Sequence, residues 1–200
     1  MRVLACVAWL LAAAGGMAFI VNYEGRAGHA GETPQQWPAQ KLVARDSSRD
    51  TLVMFVHPQC PCTDASMEEL NQILARAGKS VAAHVVFFRP ANFPADWTHA
   101  GLWKTASAIP GLAVHEDIDG VTAKIFGAET SGFVALYDAR GQLLFHGGIT
   151  SGRGHAGDNT GESAVVALLS GHDSFVKQTP VYGCSLNSES CAIPPAQIAK

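Results

Sequence analysis

Thr51-Leu52-Val53-Met54-Phe55-Val56-His57-Pro58-Gln59-Cys60-Pro61-Cys62-Thr63-Asp64 is the stretch on which the fold is decided. Its first six residues are a short apolar run rich in β-branched and aromatic residues, the composition of a central strand buried on both faces. Beyond Cys62, the residues Ala65, Met67, Leu70, Ile73, Leu74 and Ala77 recur at helical spacing, and Gly78 supplies a stop. Cys60 and Cys62 are thus expected in the turn between strand and helix, at the helix N-terminus, with Thr63 or Asp64 as its cap. Unpaired N–H groups and the helix dipole favour an anion there. A thiol so placed loses its proton more easily and becomes a better nucleophile or metal ligand.

The rest of the chain frames that turn. Two hundred residues, 48% of them apolar, allow one domain with a sizeable core plus appendages. A net charge of −3 without a basic cluster gives no electrostatic case for a nucleic-acid partner. Val3 to Val21 carries no charge and matches the roughly 20 residues needed to cross a bilayer. Arg2 before it favours a cytoplasmic N-terminus. Residues 1–21 therefore read as a transmembrane signal-anchor, a cleaved signal peptide being the alternative, with Cys6 a small residue within the membrane. Either reading exports the remaining chain to a compartment where disulfides persist.

Residues 22–40 read as a linker, 41–171 as the domain, and 172–200 as an irregular tail with Cys184 and Cys191. Lys41 to Ala44 suggests a short first strand. Ser80 to Phe88 suggests a second buried strand, so that strand, helix and strand form a βαβ unit with parallel strands. Asn92 to Gly111 contains a helix pattern with Trp97, Leu102, Trp103 and Ala106 on its apolar face, the tryptophans serving packing. Leu112 to Val114 reads as a short strand and Gly120 to Phe126 as a short helix. Gly132 to Asp138 and Gln142 to His146 form a hairpin pattern, Gly147 to Asn159 a glycine-rich loop, and Thr160 to Leu169 a last helix.

This order resembles the thioredoxin fold from about Leu42 to Gly171, an α/β three-layer sandwich with a mixed central sheet. The membrane segment, the run His57 to Cys62, the loop Gly148 to Asn159 and the run Pro180 to Cys184 resemble bacterial RedB-type membrane-anchored thioredoxin-like proteins. The resemblance implies thiol–disulfide oxidoreductase chemistry in a periplasmic domain on a single-pass anchor in the cytoplasmic membrane. Protein thiols or disulfides are the implied partners, and no organic cofactor is required. Two departures stand out. The family motif has two residues between its cysteines, whereas Thr63 takes the place of the second cysteine here. Ser131 and Gly132 occupy the place of the family's cis-proline.

Cys60 matches the family nucleophile and is expected to attack, with Cys62 resolving. One residue between them gives a tight disulfide ring, and strained disulfides are easily reduced, so the pair reads as an oxidant or shuttle. His57 is either a second ligand, a proton donor and acceptor, or a polar strand-end residue. Arg153, His155 and Asp158, in the loop after the hairpin, are expected at the same end of the sheet as Cys60. The alternative function is copper(I) binding or delivery without turnover, with Cys60, Cys62 and His155 as ligands. Cys184 and Cys191 read as a short structural disulfide, or Cys184 as a partner of the active pair. The remaining histidines show no ligand spacing and read as structural.

Overall fold

A computed structural model describes residues 2–99 and 101–186. Five strands form one mixed sheet in the order β3-β2-β1-β4-β5. β1 (Asp50–Val56) and β2 (Val81–Arg89) pair in parallel across α2 (Thr63–Ala77). β3 (Leu112–Ile118) extends the sheet in parallel beyond β2, after α3 (Gly101–Ala108). On the other side β4 (Phe133–Tyr137) runs antiparallel to β1 and to β5 (Leu143–Gly147). β5 consequently runs parallel to β1, so the loop leaving its end emerges beside the cysteine turn. α4 (Val121–Ile125) connects β3 to β4, and α5 (Thr160–Leu169) follows the glycine-rich loop.

Both faces of the sheet are covered, which is why β1 shows no polar alternation from Leu52 to Val56. On one face Met67, Leu70 and Ile73 of α2 pack with Leu102 and Ala106 of α3 and Val165 of α5. The other face is aromatic. Phe55, Phe126, Phe133 and Tyr137 pack there with Trp97, Val43, Val181 and Leu186. Each such side chain, fully buried, contributes about 1.5–3 kcal/mol of transfer free energy.

Four expectations from the sequence are revised. Lys41 to Ala44 forms bends rather than a strand; Val43 packs on the aromatic face, and β3, seven residues long instead of three, takes the sheet edge beyond β2. The helix expected over Asn92 to Gly111 divides into a 3₁₀ turn (Ala95–Trp97) and α3. The division lets Trp97 join the aromatic face while Trp103 packs on the opposite one. The run after His172 shows no apolar period, yet Val181 and Leu186 are buried and Ser185 bridges Thr130. The stretch between Asn22 and Gln40 is irregular but packed: Tyr137 donates its hydroxyl proton to the Pro34 carbonyl, and Trp37 meets Phe126 edge-on.

α1 (Arg2–Glu24) has no buried residue, and over its most apolar 18 residues the mean hydropathy is 2.3. At about 1.5 Å per residue it is about 35 Å long, enough for a hydrocarbon core of about 30 Å.

Candidate active site

The turn carrying Cys60 is held by backbone bonds that follow from its sequence. Cys60 N–H donates to the His57 carbonyl at 3.1 Å, and Thr63 N–H donates to the Cys60 carbonyl at 3.1 Å, where α2 begins. Pro61 has no N–H to offer, so the next free donor is that of Cys62. No side chain caps α2; Cys62 itself is the N-cap residue, in helical conformation. Of the two expected caps, Asp64 lies within the first turn of α2 and Thr63 turns its hydroxyl inward.

Donors converge on the Cys60 sulfur. The Cys184 side chain, the Thr63 hydroxyl and the backbone N–H groups of Cys184 and Cys62 all hydrogen-bond to it. The Cys184 N–H lies 3.3 Å from Sγ. These donors, the Cys184 side chain foremost, outweigh the cost of burial and bring the Cys60 thiol down to about 5. At neutral pH it is a thiolate, although only 3% exposed. A short relay supports the Thr63 donor. The His57 N–H donates to Ser131 Oγ at 2.8 Å, which leaves the Ser131 hydroxyl proton for Thr63 Oγ1 at 2.7 Å and the Thr63 proton for sulfur. Ser131 is fully buried and stands where the resemblance placed a cis-proline; the described residues contain no cis peptide bond.

Cys62 is half-buried and differs chemically. Burial and the neighbouring Cys60 charge push its thiol up, while Arg153 pulls in the other direction through charge and a hydrogen bond. Arg153 reaches this position from the glycine-rich loop, as the strand directions anticipated. Its guanidinium also donates to the Gly183 carbonyl and lies 5.2 Å from the Tyr23 ring centroid. The loop is pinned from below by the buried Glu69 of α2, which accepts the Gly157 N–H at 2.5 Å. A cleft of about 520 Å³ opens beside Arg153, with Arg26 and Lys124 on its walls.

His57 is wholly buried, stacked on Phe88 at 5.9 Å and edge-on to Trp97 at 5.4 Å. Its Nδ1 accepts the Gln59 N–H at 3.2 Å, which pins the turn. Burial lowers its basicity against the opposing pull of the Cys60 charge. The structure does not bring the three copper ligands together. His155 is turned to Glu24, with Nε2 at 3.2 Å from the carboxylate, and no cluster of three metal-ligating side chains occurs among the described residues. Asp158 lines a separate cleft with Thr150 and Tyr182. The expected Cys184–Cys191 pairing falls on Cys191, outside the described residues.

Two contributors have no functional signature in the sequence. Ser131 and Glu69 carry no motif, and only the strand and helix packing brings them here. Cys184, read from the sequence either as half of a structural disulfide or as a partner of the active pair, stands at the active pair although 124 positions separate it from Cys60. Other histidines show the same limit: His84 Nδ1 and His115 Nε2, on adjacent strands, lie 2.9 Å apart.

No protein-family profile matches the chain, and no curated protein matches it. Solved structures do. A hypothetical protein from Sinorhizobium meliloti 1021 is 23% identical, over 81% of this chain and 98% of that one, with a TM-score of 0.59. An uncharacterized conserved protein from Geobacillus kaustophilus is 18% identical, over 82% and 96%, with a TM-score of 0.62. A pneumococcal exposed lipoprotein thioredoxin from Streptococcus pneumoniae is 19% identical, over 62% and 86%, with a TM-score of 0.46. The βαβ unit, the antiparallel hairpin beside its first strand, the closing helix and the thiols at the head of α2 together give this protein a thioredoxin-like fold.

Proposed function

We propose that the protein is a membrane-anchored thiol–disulfide oxidoreductase of the RedB type, acting on protein thiols or disulfides outside the bacterial cytoplasmic membrane. The observation that carries this reading is the convergence of donors on the Cys60 sulfur. A buried cysteine with a merely structural role has no use for four hydrogen-bond donors and a thiolate charge.

In the exchange, the Cys60 thiolate attacks one sulfur of a substrate disulfide. The S–S bond breaks, a Cys60–substrate mixed disulfide forms, and the first substrate thiolate leaves and takes up a proton. A second thiol of the protein then loses its proton and attacks Cys60 Sγ, expelling the other substrate thiolate. The substrate gains two electrons and two protons, one proton from the second thiol and one from solvent, and the Cys60 thiolate and that thiol become one disulfide. From sequence, Cys62 is that second thiol. The donors around Cys60 stabilise the reduced state, so the equilibrium favours the reverse direction, in which the protein's disulfide oxidises substrate dithiols. His57 acts as a positioning residue: its Nδ1 holds the turn that presents Cys60.

The test is thiol exchange by the reduced full-length protein with a large excess of oxidised glutathione at neutral pH, the excess driving the less favoured direction. Release of glutathione should be rapid in the wild type and abolished in Cys60→Ser. Full turnover in Cys60→Ser would overturn the reading.

A further inference from the structure

Residues 181–186 form a strap across the cysteine turn, and its seat is built in detail. Gly28 N–H donates to the Val181 carbonyl, Ser131 N–H to the Cys184 carbonyl and Leu186 N–H to the Glu129 carbonyl, each at 2.8 Å. Thr130 and Ser185 form an antiparallel bridge. Val181 and Leu186 are buried at the two ends. At Gly183 the strap runs so close to the Ser131 carbonyl that a Cβ would not fit, and Arg153 holds the Gly183 carbonyl. This is the geometry of an extended peptide added to a backbone edge, with hydrogen bonds for affinity and side-chain pockets for register. What it delivers is a cysteine: the Cys184 N–H and the Cys184 side chain both hydrogen-bond to the buried Cys60 sulfur.

We propose that Cys184 is the resolving cysteine of this site, carried by a strap that acts as a built-in peptide ligand and closes a Cys60–Cys184 disulfide. The inference rests on the thiol-exchange reading of Cys60 and changes its second step. When Cys60 holds a mixed disulfide with a substrate, the Cys184 thiol loses its proton and its sulfur attacks Cys60 Sγ. The Cys60–substrate bond breaks, the substrate leaves as a thiolate and is protonated, and Cys62 stays a thiol. Two physical differences favour Cys184 over Cys62. Pairing with Cys62 closes a tight ring across one proline, whereas Cys184 approaches from another segment with no such ring constraint. Moreover, Cys184 is already oriented on the Cys60 sulfur by paired backbone, so little ordering remains for the exchange step.

The experiment uses the full-length Cys62→Ser chain in detergent, reduced and then exposed to oxidised glutathione, with disulfides mapped by mass spectrometry without reduction. The expected result is release of both glutathione halves and recovery of Cys60 linked to Cys184. Adding Cys184→Ser should stop the reaction after the first half, leaving glutathione on Cys60. A Cys62→Ser chain that keeps glutathione on Cys60, or in which Cys184 is linked to Cys191 instead, overturns the proposal while leaving thiol exchange by Cys60 intact. A wild-type Cys60 that takes up no glutathione at all overturns the exchange reading and this inference with it.

Discussion

Cys60 owes its state to donors, not to exposure. Burial alone would raise a thiol; here it is outweighed by hydrogen bonds to the charged form. A hydrogen bond to a charged group contributes about 1.5–3 kcal/mol, and about 1.4 kcal/mol corresponds to one pH unit. Thr63→Val keeps the shape and removes one donor from a residue that is 1% exposed. The thiolate absorbance of the wild type, with that of Cys60→Ser subtracted, should appear as pH rises through about 5. In Thr63→Val the same rise should lie higher by about one to two pH units. An unchanged midpoint would remove Thr63 from the site. The sign is fixed by the chemistry, since a lost donor destabilises only the thiolate.

At the scale of elements, reactivity is set by how the turn before α2, the glycine-rich loop and the strap close over one another. The strap is held by three backbone bonds and two buried side chains, far fewer than a core strand, so it is expected to open locally before the whole fold does. Leu186, 1% exposed, anchors its far end. Leu186→Ala should cost the closed strap about 2–5 kcal/mol. Alkylation of Cys60 by a bulky maleimide should then accelerate by about tenfold or more, each 1.4 kcal/mol being about one factor of ten. Equal rates in both proteins would show that Cys60 is reached by a route that leaves the strap in place.

For the whole molecule, the placement of α1 matters most. Its last turn touches the site: Arg153 N–H donates to the Glu24 carbonyl at 3.1 Å, the Arg153 guanidinium lies over Tyr23, and His155 pairs with Glu24. On the proposed membrane-anchored topology, an apolar helix ending at these residues would put the thiols close to the membrane surface, within reach of partners that are themselves membrane-bound. On the proposed topology, Cys62 in intact spheroplasts should react with a membrane-impermeant maleimide, and the protein should stay in the membrane fraction at high pH. Labelling only after lysis would reverse the assigned orientation.

The sequence by itself determined the βαβ unit, the hairpin, the last helix from Thr160 to Leu169, and the position of both cysteines at the head of α2. Those features are local: a buried apolar run, a helical period and a stop are properties of neighbouring residues. The direction of β5 also followed, and with it the end of the sheet from which the loop bearing Arg153 emerges. Only the tertiary structure decided which groups gather around the Cys60 turn. Ser131, Glu69 and Cys184 come from segments far apart in the chain, and backbone donors such as the Cys184 N–H have no signature in residue type. The strap escaped notice for the same reason: two buried anchors, Val181 and Leu186, spaced to fit another segment's surface, obey no period of their own. A reactive thiol is made by convergence in space, and convergence is a property of the fold.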